Sequence, residues 1–312
     1  MLPARLAAYV WPMTRNCAPI ALFVYARLDH TRQTIEALKR NPLAAESDLI
    51  VFSDAPRRQD MAAAVEEVRR YIRTIDGFKS VQVVEREYNL GLAASIIGGV
   101  TSICDTHGRV IVMEDDLVTS PHFLTYMNDA LEKYAGKPQV AAISGFHPPF
   151  KADMPETFFQ CDADCWGWAT WKRAWQIFNP NGAELLSELK RRDLLHIFDQ
   201  NGSYAYVRML ENQISGRIDS WAIRWRASVI LNGMLSLYPR RTLTHNIGFD
   251  GSGTHGDISN IWDSTLGSEP IRVTDIPLVH SKEAFQAFVR FNRYFRRKAR
   301  WDRLKRRLRL VR

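Results

Sequence analysis

No apolar run in this 312-residue chain approaches the roughly 18 residues a membrane-spanning helix requires. Cysteine is scarce. The four present, Cys17, Cys104, Cys161 and Cys165, are too few to staple a chain this long and suggest reduced thiols in a cytoplasm. Cys161 and Cys165 could form half a zinc site, but no second Cys or His pair stands near enough to complete it. Residues 1–19 contain Arg5, Pro12 and Arg15 and lack a clean apolar stretch with a cleavage site, so no signal peptide is read there. Pro/Ser linkers and internal repeats are missing too, which favours one continuous globule with two lobes over separate modules.

Charge is unevenly spread. From Arg290 to Arg312 twelve Lys/Arg accompany one acid, Asp302. That segment carries a local +11 against +8 for the whole chain, so the remainder is near neutral at −3. With 46% hydrophobic residues the body can bury a substantial core, and disorder is excluded.

The first half alternates two patterns. Apolar runs at 20–26, 48–54, 81–87, 109–116 and 139–145 read as strands. Between them, helical patterns follow residue 28 (with Asp29 as the expected cap) and cover 60–74, 91–104 and a stretch opened by Ser120-Pro121. Such alternation implies an α/β fold with a parallel, doubly wound sheet, whose ligands bind beyond the carboxyl ends of the strands. Asp54, Asn89 and Glu114–Asp116 all fall at strand ends and should converge on one edge. Past residue 150 the alternation breaks down into a Trp-rich stretch at 165–175, helical patterns at 182–198 and 203–215, the segment 217–233, and a Gly-rich loop at 246–257.

The sharpest local feature is "RVIVMEDD", an apolar strand that ends in Glu114, Asp115 and Asp116. Three carboxylates within about 10 Å repel one another unless a cation or solvent relieves them. Two or three carboxylates at a strand end can hold Mg²⁺ or Mn²⁺, with phosphate oxygens and water completing the shell. A solvated acidic turn is the competing reading. Asn89-Leu90-Gly91 could offer backbone N–H groups to an anion, or simply turn the chain into its helix. The tryptophans divide the same way: Trp171/Trp175 and Trp221/Trp225 have the i,i+4 spacing of one packed helix face, while others could stack on a sugar. His255 and His280 could approach a metal or be ordinary surface histidines.

A strand closing on an acid triplet and followed by "LVTSPHF" resembles the EDD form of the DxD motif in GT-A glycosyltransferases. The pattern is similar to that of the N-acetylglucosaminyltransferases that initiate complex N-glycans and their O-mannose relatives. "GWATWKRAW" (167–175), "DSWAIRW" (219–225) and "GTHG" (253–256) resemble further segments of that family, in the same order. The resemblance implies a GT-A sheet with a nucleotide-sugar-binding half at 18–145, an acceptor half at 146–283, an extension at 1–17 and a helical tail at 284–312. It implies Asp116 as ligand of Mn²⁺ or Mg²⁺, Glu114 and Asp115 facing the donor's sugar or ribose, and Asp54 on the uracil or ribose. It further implies Arg27 near the diphosphate, Trp166 and Trp168 in the sugar pocket, His255 in a loop closing over the donor, and Asp219 as general base. The expected reaction is metal-dependent, inverting transfer of a sugar, N-acetylglucosamine in the family, from a UDP-sugar to a saccharide hydroxyl or lipid-linked saccharide. The expected setting is bacterial surface-glycan synthesis in the cytoplasm. "CDADCWGWATW" departs from the family where the sugars are selected.

Two rival readings remain. Sugar-nucleotide pyrophosphorylases need a Gly-rich basic loop after the first strand, and "YARLDHTRQT" (25–34) has no glycine. A non-catalytic glycan- or nucleic-acid-binding protein would carry a degenerate site. The tail reads as helix, with Phe288, Phe291, Phe295 and Ala299 on one face and Trp301, Leu304, Leu308 and Val311 nearly opposite. Its charge suits an anionic membrane surface on the inner face of the cell membrane, with nucleic acid as the weaker expectation.

Overall fold

The computed structural model describes residues 16–150, 153–251 and 264–309, apart from the side chains of 299, 300 and 302–309. His255 and the "GTHG" segment lie outside the described residues, as do the side chains of Ala299, Leu304, Leu308 and Val311.

The first half winds as the alternation implies: β1 (Ile20–Val24), α1 (Leu28–Lys39), β2 (Asp48–Ser53), α2 (Ala62–Ile72), β3 (Ser80–Glu85), α3 (Leu92–His107) and β4 (Arg109–Glu114). These four strands pair in parallel in the order β3-β2-β1-β4. All five residues of β1 are buried, because helices cover both faces of the sheet. Gly108, at φ +76°, ends α3 in the left-handed conformation that lets β4 turn back without a Cβ clash.

The second half reverses part of the sheet. After β5 (Leu117–Thr119), α4 (Phe123–Lys133), β6 (Val140–Ser144) and β7 (Thr157–Gln160) comes β8 (Trp168–Trp171), which inserts antiparallel between β4 and β6. Five helices follow: α5 (Lys172–Trp175), α6 (Gly182–Arg191), α7 (Leu195–Phe198), α8 (Tyr206–Ile214) and α9 (Trp221–Leu231). Then β9 (Leu235–Pro239) lies parallel to β6 and antiparallel to β7. β10 (Thr244–Asn246) leaves the sheet to pair with β5, and α10 (Lys282–Arg309) closes the chain. The result is an eight-stranded, mostly parallel sheet flanked by helices, in which β8 and β7 run against the other six strands.

Several local expectations are corrected. Asp29 does not cap α1; Arg27 holds the cap position and Asp29 sits in the first turn. Helix α4 opens at Phe123 rather than at Pro121: the Ser120 hydroxyl donates to the Gly267 carbonyl (2.6 Å) and accepts the His122 N–H (3.3 Å), which holds residues 120–122 in a turn ahead of the helix. Trp171 and Trp175 do not share a helix: the first ends a strand, the second ends α5. The 182–198 pattern splits in two at Asp193, whose φ of +53° breaks the helix.

The sheet core is joined by two satellites. Leu185, Leu189, Phe198, Leu210 and Ile223 knit α6–α9 together. Ala284 and Phe288 dock α10 against Phe158 and Tyr238. Further along, Phe291 is buried and Phe295 half-buried, while Tyr294 and Trp301 stay exposed. No helix among the described residues is long and apolar enough to cross a membrane.

Candidate functional site

The acid triplet lies at the carboxyl edge of β4. Phe23 is the β1 partner of Glu114, so the chain leaving β1 delivers Arg27 to the carboxylates. The Arg27 guanidinium donates to Asp116 Oδ2 at 2.8 Å and also to Asp115 Oδ1. The Thr34 hydroxyl donates to the Asp115 carbonyl (2.9 Å), fastening the triplet to α1. Burial, with Asp116 and Asp115 beside it, pushes Glu114 up to about 8. Burial raises Asp115 to about 6 even though Arg27 opposes it. One guanidinium among three crowded acids leaves the cluster short of positive charge, which is why their protons are held more tightly.

Hard carboxylate oxygens suit Mg²⁺ or Mn²⁺. Among the described residues no three His, Cys, Asp or Glu side chains form a closed metal cage. The set therefore fits a metal held by one or two protein carboxylates, with a ligand's oxygens supplying the rest.

The loop after β10 roofs the triplet. The Ile247 N–H donates to the Asp116 carbonyl (2.8 Å), and the Gly248 N–H to Asn246 Oδ1 (2.8 Å). A Cβ on Gly248 would meet Asp116 Oδ2 at 2.3 Å and Arg27 Nη1 at 3.0 Å. Gly248→Ala is therefore expected to displace the Asp116 carboxylate and, on the metal-site reading proposed below, to weaken Mn²⁺ binding about ten-fold, with little loss of fold stability; titration calorimetry and thermal unfolding check the two halves.

Asp54 and Asn89 do reach the same edge, in a structural setting. The buried Asp54 carboxylate accepts the N–H groups of Ala55 (3.1 Å), Leu90 (2.9 Å) and Gly91 (2.9 Å), at the start of α3. An anion there is favoured by the helix's positive end. Of the two readings of Asn89-Leu90-Gly91, the turn into the helix is the one observed: the Leu90 and Gly91 amides go to Asp54. Asn89 donates to the Ala55 carbonyl (2.7 Å), tying the two strand-end loops together.

The tryptophans separate. Trp168 is wholly buried, its ring stacked on Trp221 with centroids 5.3 Å apart, so it packs the core and offers no face to a sugar. Trp166 is only half-buried, edge-on to Phe146 and Phe249, with its carbonyl accepting from Thr244 Oγ1 (2.7 Å). Asp219 precedes Ser220, the cap of α9, and its side chain is 67% exposed and bonded to Arg224 Nη2 at 2.9 Å. Trp221, two residues on, stacks on Trp168, the partner of Val112 on β4. His280 is elsewhere: its Nδ1 accepts the Cys161 N–H (3.1 Å) and it bridges to Phe159 on β7.

Two acids escaped the sequence reading. Asp162 is buried against Arg226, Gln200 and the Ala163 N–H. Asp164 accepts the Trp166 N–H at 2.8 Å, and burial lifts it to about 7. The Asp-Ala-Asp spacing between two cysteines was the signal that could have found them.

No family model and no curated protein matches the chain. Solved structures similar to it include a mannosyltransferase from Pyrobaculum calidifontis in complex with GDP-Man and Mn²⁺, at 16% identity and a TM-score of 0.29, over 41% of this chain and 37% of that one. A UDP-glucose pyrophosphorylase complexed with UDP-glucose is similar at 12% identity and TM-score 0.30, over 53% of this chain and 81% of the other. A protein named for nucleotide-diphospho-sugar transfer, from Desulfovibrio desulfuricans G20, is similar at 15% and 0.32, over 53% and 68%. The chain thus spans little more than a third of the mannosyltransferase's length.

Proposed function

We propose that this chain is a GT-A-type glycosyltransferase that moves a sugar from a nucleotide diphosphate to a saccharide hydroxyl. The observation that carries the reading is the acid triplet at the end of β4, bound by Arg27 and roofed by Gly248. Asp116, with a neighbouring carboxylate, would hold Mn²⁺ or Mg²⁺, which supplies positive charge to the leaving diphosphate. Arg27 lies beside that position and adds a second cation for the same phosphates. Asp219, exposed at the rim, takes the acceptor hydroxyl's proton as the new bond forms, in a single displacement with inversion. Asp54 offers the nucleoside the lone pairs its backbone partners leave open, and Trp166 gives the sugar an apolar face. UDP is the nucleotide and N-acetylglucosamine the sugar that the sequence resemblance favours. A pyrophosphorylase would need the glycine-rich loop that "YARLDHTRQT" lacks.

Incubating the protein with UDP- and GDP-sugars, with Mn²⁺ or EDTA, and measuring nucleoside diphosphate release tests the proposal. Release from one donor, lost with EDTA and reduced by Asp219→Asn only when acceptor is present, supports it. Neither release nor calorimetric binding of donor and metal would instead leave a glycan-binding protein.

For the acceptor we infer a membrane setting from the charge of α10. Arg290, Arg293, Arg296, Arg297 and Lys298 surround the exposed Tyr294, a pattern suited to an anionic bilayer bearing a lipid-linked saccharide at the inner face of the cell membrane. Deleting residues 300–312 is expected to weaken sedimentation with phosphatidylglycerol liposomes several-fold in low salt; unchanged sedimentation would remove this part.

A further inference from the structure

The segment between β7 and β8 carries Trp166, which the sequence resemblance supplied, and Asp164, which it did not. The chain leaves β7 at Gln160, level with Val110 across the sheet, and climbs back to the carboxyl edge, where Trp168 pairs with Val112. Two residues before that pairing, Trp166 comes up beside the end of β4, where Glu114 stands. The intervening Cys165 thiol, raised first by burial, is raised further by Asp164, Glu114 and Asp116 together, so the segment runs within charge range of the triplet.

Asp164 is the odd member of its surroundings. Asp162, two residues earlier, is neutralised by Arg226 and hydrogen-bonded by Gln200 Nε2 (3.1 Å). Arg226 is committed to that partner, to the Phe198 carbonyl and to the Tyr206 ring. Asp164 receives backbone N–H groups of its own turn and, among the described residues, no side-chain donor. A carboxyl drawn half out of water with lone pairs left over is costly unless an outside donor reaches it. Beside it stands the half-buried indole of Trp166. An aromatic face next to an acceptor-rich carboxylate matches a pyranose, which has one C–H face and a rim of hydroxyl donors.

We propose that Asp164 is a specificity-determining residue of the sugar pocket: its carboxylate takes hydrogen bonds from hydroxyls of the transferred sugar while the sugar's apolar face rests on Trp166. The inference rests on the transferase reading and names the group that separates one sugar from another. A site built to accept a hydroxyl rejects analogues that lack or misplace it, because its own polar group is then left unpaired. The triplet and Arg27 hold the nucleotide diphosphate, so Asp164 acts on the sugar alone.

Calorimetry in Mn²⁺ separates the two. UDP and GDP are titrated against UDP-glucose, UDP-N-acetylglucosamine and GDP-mannose, using wild type, Asp164→Ala and Asp164→Asn, with thermal unfolding as the folding control. Asp164→Ala is expected to leave nucleoside diphosphate affinity within about two-fold while weakening the best-bound nucleotide sugar about ten-fold or more and flattening the ranking of sugars. Asp164→Asn, which keeps one acceptor oxygen and the shape, falls between. Equal weakening of nucleotide and nucleotide sugar, or no change in either, overturns the inference while leaving the transferase reading intact. Wild type that binds no nucleoside diphosphate brings down the transferase reading, and this inference with it.

Discussion

Asp116→Asn is expected to lower metal-dependent nucleoside diphosphate release by about 10²–10³-fold, the scale on which removing one charge-stabilising group at a reacting centre acts. The change is nearly isosteric and removes one of three crowded negative charges. Arg27 keeps its bond to Asp115, and the Ile247 N–H still finds the carbonyl of residue 116, so the roof loop should remain in place. What is lost is the charge that attracts a divalent cation. The wild-type protein should gain about 2.7 kcal/mol of stability at a hundred-fold excess of Mn²⁺ over its dissociation constant, and the variant almost none. Thermal unfolding with and without Mn²⁺ reads this independently of any donor or acceptor. An Asp116→Asn protein that kept both the Mn²⁺ shift and the activity would remove the triplet from the mechanism.

The inner strands of the parallel half are legible because they are covered on both sides and therefore read as continuous apolar runs, as the all-buried β1 shows, whereas the edge strand β3 is only partly covered. Antiparallel β8 hides for the opposite reason. Its four residues are a Trp-Ala-Thr-Trp stretch whose tryptophans also suit a helix face, and only pairing with β4 and β6 decides the matter. Ser120 misleads in part: its hydroxyl accepts the His122 N–H as a local rule would have it, but it also donates to the carbonyl of Gly267, a residue 147 positions away, a bond no local rule can read. The triplet is legible as charge at a strand end. The division of labour around it is not. Asp54 and Asp164 are both single aspartates in loops; one reaches across to two amides at the start of α3 besides that of its neighbour Ala55, the other accepts only from its own turn, and that difference exists only in three dimensions.

Arg226→Met is expected to cost about 3–5 kcal/mol of folding stability, the largest structural effect of any single change considered. Arg226 and Asp162 are both almost completely buried, so removing the guanidinium strands a carboxylate in a site that water cannot easily reach. The guanidinium also lies 3.8 Å from the centroid of the Tyr206 ring and donates to the Phe198 carbonyl (3.1 Å), holding α9 to α7 and α8. From Asp162 the connection runs through Gln200 to Asn292 on α10. The pair therefore sits where the helical lobe, the C-terminal helix and the segment carrying Asp164 meet. The double variant Arg226→Met/Asp162→Asn should recover much of the loss, because it removes the stranded charge and its one amide oxygen still accepts the Ala163 N–H, although the bond from Gln200 Nε2 to the other oxygen is given up. Urea unfolding of the wild type, the two single variants and the double variant measures the coupling directly. A single Arg226→Met protein within about 1 kcal/mol of wild type would mean that Asp162 is already solvated or protonated, and the lobe would then owe its attachment to the apolar contacts of α6–α9 alone.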